Sequence, residues 1–365
     1  MLFVYYNSAR FLLIFSLECG KIISKIISKN GRRNVMSGYT PPYIITDKIL
    51  SLVASVSEKV GRITERSNLD SKPHLRRNNK IKSIYSSLAI EANSLSLGEV
   101  KDVINGKTVI GTEKEIQEVK NAYAAYEEIS KIDVYSLKEL KRLHGIMTKY
   151  IVDISGDFRL GEEGVFNGDK CIFIAPPAKL VPGQMTDLFS WMKQNKTTVH
   201  PLILSSVFHY EFVFIHPFTD GNGRMARLWH TAILSKWQPI FEFLPIESQI
   251  EKFQNGYYEA IAKCHANGSS TVFIEFMLEQ IDAVLDEISA SVTAPANNFT
   301  EYVSRLLSVM EYDTPYTSNE ILTLLGLKSK ETLRKNYLTP AIEGGLVVMT
   351  EPDKPSSKNQ RYIKK

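Results

Sequence analysis

Residues 215–227, IHPFTDGNGRMAR, combine side chains that could bind a phosphate group and act on it. Pro217 disfavours the α conformation at the residue before it, so we expect a helix to end there and to present His216 from a loop. Gly221 and Gly223 permit backbone geometries in which successive N–H groups converge on an anion. A second helix should begin at this point, and its positive N-terminus would face the same place.

The charged side chains of this stretch fit a polyphosphate. Arg224 and Arg227 are three residues apart, so they share a face on the first turn of the second helix. Asp220 offers a hard oxygen ligand for a Mg²⁺ ion that also binds phosphate oxygens, and His216 could serve as a general base. A polar loop with a helix cap would explain Asp220, but it would leave two arginines at an already positive helix end.

Two other motifs lie in the same region. Residues 221–226, GNGRMA, satisfy the dinucleotide pattern GxGxx[GA], and Glu242 lies near the expected acidic position. That fold needs alternating strands and helices, whereas the neighbouring sequence is helical. The seven-residue spacing of His209 and His216 would allow a metal site, but a histidine on an apolar helix is typical of a hydrogen-bonded core residue.

The segment HPFTDGNGRMAR resembles the Fic motif, HPFx[DE]GNGRxxR, at every fixed position. The resemblance covers roughly residues 40–285 and implies transfer of AMP from ATP to a hydroxyl side chain of a target protein. It also implies that His216 deprotonates the hydroxyl and that Asp220 holds Mg²⁺ on the α- and β-phosphates. Other transfers and the removal of AMP occur within the family. The intact Gly223, where phosphate-transferring relatives differ, favours the AMP reaction.

The resemblance also implies which residues contact the nucleotide. The phosphate-binding groups would be Asn222 with the amides of Gly221 and Gly223, then Arg224, and finally Arg227, which would reach toward the γ-phosphate. Tyr257 and Tyr258 fall where the family builds its adenine pocket. Plain helix packing is the alternative for both tyrosines.

Residues 86–93, SSLAIEAN, resemble the inhibitory motif of the family, [ST]xxxE[GN]. Ser87 and Glu91 match it and share a helix face, whereas Ala92 stands where Gly or Asn is expected. The resemblance implies that Glu91 pairs with Arg227, takes the place of the γ-phosphate at rest and leaves ATP in an unproductive pose. A solvated helical glutamate is the alternative.

The elements that must position these residues are mainly helical. Apolar residues recur at spacings of three and four from about residue 45 onward, and Ser136 is placed to cap a helix. The exception is GVFNGDKCIFIAPP, in which Asn167-Gly168 between two apolar runs predicts a β-hairpin. The hairpin fits the family's flap, about residues 164–176, along which a target segment would lie as an added strand.

The C-terminal part of the sequence has a different pattern of predicted helices and strands. Residues 293–298, TAPANN, predict a linker. Beyond it, a helix, a helix-turn-helix with Ser318 as N-cap, and strands LVVM and RYIK predict a winged-helix module. From residue 328 on, this module carries nine Lys and Arg against four Asp and Glu. A DNA-binding regulator is therefore an alternative function, and a protein-docking or homodimer-forming appendage is another.

The predicted fold class is mainly α: a Fic-type helical bundle with a β-hairpin flap, followed by the winged-helix domain. The predicted divisions are a doubtful extension at 1–35, a helical region with the inhibitory helix at 36–125, the catalytic core at 126–292, the linker at 293–298 and the last domain at 299–365.

Charge and cysteine usage narrow the class of protein. The formal net charge is +4, and residues 1–35 alone contribute +5 through six Lys and Arg against one Glu, which leaves −1 for the rest. The body of the chain is thus not a basic nucleic-acid scaffold. Three widely separated cysteines argue against a disulfide framework or a structural zinc site, and they favour a reducing cytoplasm.

The apolar run at the N-terminus, LFVYYNSARFLLIFSL, is interrupted by Asn7, Ser8 and Arg10. It falls short of the ~20 apolar residues that span a bilayer, and it lacks a basic start and a small-residue cleavage site. We therefore expect no membrane association and an extension outside the fold, with an anchor or an export signal as the alternative.

Overall fold

The computed structural model describes residues 39–66, 73–167, 170–293, 301–311, 314–355 and 357–364. It divides into two compact units, one built from residues up to 56 with 82–282 and the other from 57–81 with 283–365. The predicted extension at 1–35 and residues 294–298 of the predicted linker lie outside the described residues.

The first unit is mainly helical, as predicted. Its helices, three of which continue into the residues of the second unit, are α1 (Asp47–Arg66), α2 (Pro73–Ile90), α3 (Leu97–Ile104), α4 (Glu113–Tyr126), α5 (Leu137–Met147), α6 (Val181–Asn195), α7 (Pro201–Ile215), α8 (Asn222–Trp237), α9 (Ile246–Lys252), α10 (Gln254–Asn267) and α11 (Thr271–Thr293). None of the helices in the described part of the chain is long and apolar enough to cross a bilayer.

Local sequence signals set several helix starts. Ser96 begins α3 and Thr112 begins α4 with capping boxes, in which the hydroxyl binds the N3 amide and a glutamate at N3 reaches back. Ser136 caps α5 as predicted, because its side chain accepts a hydrogen bond from the N–H of Glu139. These caps fix where α4 and α5 enter the bundle, and both helices supply residues to the site described below.

Helices α7 and α8 form the centre of the core. Both are buried over most of their length, and Phe208 and Phe212 of α7 pack with Trp229 of α8 within a fully buried aromatic cluster. Burial of this apolar surface is the main source of stability for the pair. The turn from α7 to α8, residues 216–221, is thereby held between two helices that are packed on all sides.

The predicted hairpin is present. Strand β1 (Gly164–Asn167) pairs antiparallel with β2 (Lys170–Ile174), and Gly164 lies opposite Ile174. The register shifts between Val165 and Phe166, which marks a bulge. At the base of the hairpin, the N–H of Ala175 donates to the carbonyl of Glu163 at 3.0 Å.

The C-terminal part of the second unit contains α12 (Glu301–Val309), β3 (Pro315–Tyr316), α13 (Ser318–Leu325), a helical segment made of α14 (Lys330–Thr332), a π-helical turn (Leu333–Leu338) and α15 (Thr339–Glu343), then β4 (Val347–Met349) and β5 (Tyr362–Lys364). The order of elements fits the winged-helix module that the sequence predicts. Its antiparallel sheet has the strand order β3-β5-β4, with a short strand beyond the two predicted.

One predicted cap in this part is wrong by a residue. Thr317 rather than Ser318 is the N-cap of α13, and its hydroxyl and main chain form a capping box with Glu320. Both residues carry the hydroxyl that a cap needs. The choice follows from the glutamate, because a capping box requires it three residues after the cap.

Candidate active site

His216 lies at the point where α7 ends. Helix α7 stops at Ile215, as Pro217 predicts, and the backbone of His216 turns into the left-handed region with φ 51° while its N–H still donates to the carbonyl of Phe212. Burial lowers the pKa of His216 to about 4, and the positive charge of Arg159 acts in the same direction. The imidazole is therefore neutral at pH 7 and can accept a proton.

The side chain of Asn222 closes the loop between the two helices. Its amide nitrogen donates to the carbonyl of Phe218 at 2.6 Å, and its amide oxygen accepts from the N–H of Phe218 at 3.0 Å. The resemblance to the Fic motif implies that Asn222 is one of the phosphate-binding groups. Since both polar atoms of this side chain serve the loop, its main-chain N–H is the group left for an anion.

The two glycines make room for close neighbours. Gly221 has φ 80°, and a Cβ atom there would lie 3.0 Å from Cγ2 of Thr148. A Cβ atom at Gly223 would lie 2.2 Å from Oε1 of Glu91. Gly223 is in the first turn of α8, where unpaired N–H groups favour negative charge. A carboxylate thus already occupies the place in which the sequence predicts a phosphate.

Arg227 is buried and holds that carboxylate. Its Nη2 lies 2.8 Å from Oε1 of Glu91 and 2.9 Å from the carbonyl of Ser87, and its Nε donates to the Ser87 hydroxyl at 3.1 Å. Although burial opposes it, the carboxylate of Glu91 raises the pKa of Arg227. The predicted contact between Glu91 and Arg227 is present, and both matching residues of the inhibitory motif take part in it.

Glu91 lies just beyond the end of α2, whereas the sequence predicts it within a helix. Helix α2 ends at Ile90, and the chain turns at Ala92, which has φ 66°. Glycine and asparagine tolerate this left-handed conformation better than alanine does. The conformation gives a physical reason for Gly or Asn at this place in the motif, and it means that Ala92 is strained here.

Arg224 is held by a second set of carboxylates. Its Nη2 lies 3.0 Å from Oδ1 of Asp220, and its Nη1 lies 3.3 Å from Oε1 of Glu118 on α4. The other oxygen of Glu118 accepts from the side chain of Asn93 at 2.9 Å. Sequence reasoning missed Glu118, because a glutamate on an amphipathic helix is usually solvated.

Asp220 suits a cation that arrives with phosphates. Although burial opposes it, the charge of Arg224 and the N–H of Gly221 hold the pKa of Asp220 below its usual value, so the carboxylate is ionised. Among the described residues, no three His, Cys, Asp or Glu side chains are grouped to hold a metal. Mg²⁺ is commonly bound by one or two carboxylates plus substrate phosphates, and Asp220 fits that mode.

His144 of α5 binds the main chain of the loop between α7 and α8. Its Nδ1 accepts from the N–H of Gly156 at 3.0 Å, so its Nε2 carries the proton and donates to the carbonyl of Asp220 at 3.0 Å. Its ring also stacks on Phe218 with centroids 3.6 Å apart. Burial lowers the pKa of His144 to about 4. The sequence offered only an unexplained histidine on an amphipathic helix.

Tyr257 and Tyr258 lie side by side in α10. Tyr257 is 2% exposed, and its hydroxyl meets Nε2 of His209 at 2.9 Å. His209 is fully buried and is thus a hydrogen-bonded core residue. The ring of Tyr257 packs near Phe273 and Tyr258. The contacts of Tyr257 are those expected of a residue that packs within the helical core. Tyr258 is half-buried. The adenine contact of both tyrosines stays a prediction.

Comparisons with known proteins cover most of the chain. The sequence model of the Fic/DOC family matches residues 134–234, and that of the C-terminal domain of the Fic-like "Filamentation induced by cAMP" protein matches 301–363. The crystal structure of a Fic family protein from Desulfovibrio desulfuricans G20 is 41% identical with a TM-score of 0.67. The match covers 90% of this chain and 98% of that one.

Two curated relatives carry an activity in their names. Protein adenylyltransferase fic-1 of Caenorhabditis elegans is 26% identical over 226 residues, which are 59% of this chain and 42% of that protein. Protein adenylyltransferase Fic of Nematostella vectensis is 29% identical over 226 residues, which are 58% of this chain and 49% of that protein. The matches thus cover less than half the length of each of these two relatives.

Proposed function

The chain belongs to the Fic family, and from that premise we propose that it transfers AMP from ATP to a hydroxyl side chain of a target protein. The adenylyltransferase names of its relatives support this reaction. The observation that carries the proposal is the N-terminus of α8. A neutral His216 lies in the loop before this helix end, and Arg224 and Arg227 each hold a carboxylate at it.

His216 accepts the proton of the target hydroxyl as the hydroxyl oxygen forms a bond to the α-phosphorus of ATP. The bond from that phosphorus to the bridging oxygen of the β-phosphate breaks, and pyrophosphate leaves. Main-chain N–H groups in the first turn of α8, together with Arg224 and Arg227, hold the phosphates. Asp220 would hold Mg²⁺, which when bound neutralises negative charge on the phosphate oxygens.

Glu91 restrains this reaction at rest. Its carboxylate lies against Gly223 and pairs with Arg227, which is the arginine proposed to bind the γ-phosphate. Both anions compete for the same cation and the same helix end. Productive binding of ATP therefore requires Glu91 to leave, and the restraint is an autoinhibition within one chain.

The target protein would bind along the flap. The hairpin of β1 and β2 ends at Ile174, whose side chain is 55% exposed. An extended target segment can add to such an edge through main-chain hydrogen bonds. This mode places selection of the target in the flap and the chemistry at His216.

A labelling experiment with two forms of ATP tests the proposal. The Glu91→Gly variant is incubated with Mg²⁺, host lysate and ATP labelled either at the α-phosphate or at the γ-phosphate. Transfer of AMP predicts protein-bound label from the first form that appears with Glu91→Gly and not with the Glu91→Gly/His216→Ala double variant. Label from the γ-form that shows the same difference between the variants would identify a phosphate transfer instead, because label from kinases of the lysate is equal in both. No difference with either form would overturn the proposal.

A second function is favoured by the basic face of the C-terminal segment. Lys328, Lys330, Arg334 and Lys335 are exposed along and just before the helical stretch that starts with α14. We propose DNA binding by this face as the alternative role, since clustered Lys and Arg bind phosphate backbones. Binding of the full chain to duplex DNA should weaken with salt and with reversal of these four charges. Equal binding by the charge-reversed variant would exclude the role.

A further inference from the structure

The guanidinium of Arg159 is deeply buried without an ion pair. The residue is 2% exposed, and no carboxylate in the described part of the chain lies within ion-pair distance of it. A buried charge is strongly destabilising unless its hydrogen bonds are made. In Arg159 the partners are main-chain carbonyl oxygens, which lie in three separate stretches of chain.

Two of these stretches belong to the parts that the proposed reaction must bring together. The Nε of Arg159 donates to the carbonyl of His216 at 2.7 Å, and Nη2 reaches the carbonyl of Ile215 at 3.5 Å. The same Nη2 donates to the carbonyl of Pro176, just beyond the second strand of the flap. One planar group therefore touches the end of α7 and the root of the flap at the same time.

The remaining contacts fix Arg159 itself. Its Nη1 donates to the carbonyl of Gly161 at 2.8 Å, and its main-chain N–H donates to the carbonyl of Pro217 at 2.9 Å. The preceding residue, Phe158, packs on Phe218. Burial lowers the pKa of Arg159, but the charges of Glu162 and Glu163 oppose that shift. The carbonyl end of α7 also carries partial negative charge, and together these groups favour the cation although it has no ion pair.

We propose that Arg159 is a positioning residue of the transfer reaction, and that it sets the distance between the target-binding flap and His216. This inference rests on the proposed function. The guanidinium presents its N–H donors in a rigid plane, so it can bridge carbonyls on opposite sides. A lysine at this place retains the charge but has a single compact ammonium, which cannot span them.

The test compares Arg159→Lys with Arg142→Lys, both in the Glu91→Gly background. Arg142 lies on α5, where it pairs with Glu128 and Glu139 and is 40% exposed, so its replacement is a matched control. We expect Arg159→Lys to lower kcat/KM for the target by about 100-fold, the effect of a misplacement of about 1 Å. The dissociation constant for ATP should be unchanged, since no phosphate-binding group is altered.

Two outcomes would overturn the inference. One is an unchanged kcat/KM in Arg159→Lys, and the other is a loss of ATP binding in step with the loss of transfer, which would indicate a purely structural role. If Arg159→Lys does not fold, Arg159→Gln replaces it. This variant removes the buried charge, and its single planar NH2 group cannot reach carbonyls on opposite sides, so we expect transfer to fall while ATP binding is unchanged.

Hydrogen exchange separates this inference from the proposed function, because it needs no activity. In Arg159→Lys, exchange should accelerate both in β2 and at the N–H of His216, while α8 stays protected. Acceleration at only one of the two places would mean that Arg159 does not couple them. If the parent Glu91→Gly transfers no AMP but both places loosen together, the proposed function fails and the coupling stands.

Discussion

The catalytic loop proposed at His216 and the inhibitory turn proposed at Ala92 each contain a residue other than glycine in the left-handed region. His216 has φ 51° and Ala92 has φ 66°, two of three such residues in the described part of the chain. Such a conformation is unfavourable for an L-residue and persists only where the surroundings impose it. The two regions differ in which groups hold the left-handed residue in place.

The loop at His216 is braced from several directions. Arg159 binds its carbonyl, Asn222 binds both polar groups of Phe218, and His144 binds the carbonyl of Asp220. The turn at Ala92 is held by other groups, among them the side chain of Asn93, which donates to Glu118 at 2.9 Å. The N–H of Asn93 donates to the carbonyl of Leu88 at 3.1 Å, and the side chain of Gln254 donates to the carbonyl of Ile90. The charged contact that the turn carries is accessible, because the side chain of Glu91 is 38% exposed, so a competing anion can reach the pair of Glu91 with Arg227.

Removing the base gives the largest expected effect on the catalytic loop. His216→Ala in the Glu91→Gly background should lower AMP transfer by about 10²–10⁴-fold, the usual contribution of a general base. ATP binding should persist, because the loop keeps its braces and the arginines are unchanged. The labelling rate measures the loss of transfer, and calorimetric titration with ATP measures whether nucleotide binding persists. Loss of nucleotide binding in the folded variant would contradict the separation of base and phosphate site.

The pH profile gives a control on the same residue. The pKa of His216 is lowered to about 4 by burial, so the neutral base is present above that value and is lost as the pH falls through it. The transfer rate of Glu91→Gly should therefore stay level from pH 8 down to near 5. If the transfer rate falls with a midpoint close to the ordinary pKa of histidine, burial in the loop does not lower the pKa of His216.

Among the changes in the turn, removal of the carboxylate of Glu91 should have the largest effect on the rate of labelling. A charge-assisted hydrogen bond contributes about 1.5–3 kcal/mol, so Glu91→Gly should raise labelling by roughly 10–100-fold. The gain must act through Arg227, because that guanidinium holds the carboxylate. Adding Arg227→Ala should cancel most of it, the non-additivity expected of residues in contact. If the initial rate of labelling is unchanged in Glu91→Gly, with ATP and a competent target supplied, Glu91 does not inhibit the reaction.

A smaller gain is expected from loosening the turn without touching its carboxylate. The side chain of Asn93 donates to Glu118 and to the carbonyl of Glu115, and it accepts from the N–H of Leu95. Loss of about 0.5–1.5 kcal/mol for such a bond predicts that Asn93→Ala raises basal labelling by about two- to tenfold. The same change in the Glu91→Gly background should do nothing. A rise there would place the effect of Asn93 on Arg224 rather than on the turn.

Relief of the backbone strain at Ala92 should lower basal labelling rather than raise it, and this should be the smallest of the expected effects. Ala92→Gly removes a left-handed alanine that costs roughly 1–2 kcal/mol, and it adds back about 0.5–1 kcal/mol of chain entropy. The turn is then favoured by about 1 kcal/mol or less, so basal labelling should fall up to about fivefold. Ala89→Gly, within α2, serves as the control for glycine itself. Increased labelling in Ala92→Gly would mean that the turn keeps its shape when Glu91 leaves.

The sequence was informative where local rules decide. Pro217 marked the end of α7, Asn167-Gly168 marked the hairpin, and the resemblance of residues 86–93 to the inhibitory motif indicated the contact of Glu91 with Arg227. Each of these conclusions needs only neighbours along the chain or a recognisable motif.

The bracing of the catalytic loop was not predictable in the same way. Arg159 and His144 lie 57 and 76 positions from the main-chain carbonyls that they bind at His216 and Asp220. A carbonyl acceptor is present in every residue, so no pattern of side chains announces such a contact. The conformation of Ala92 was hidden for a related reason, since alanine is the residue that most favours continuing the helix.

If Glu91 inhibits as proposed, its position against Gly223 makes the inhibitor part of the polypeptide that it inhibits. A tethered ligand acts at an effective concentration that the connecting chain sets. Dilution therefore does not release it, and the fraction of restrained molecules is the same at any abundance of the protein. An activating signal has to change the turn that carries the glutamate, or supply enough nucleotide to outcompete a ligand that never diffuses away.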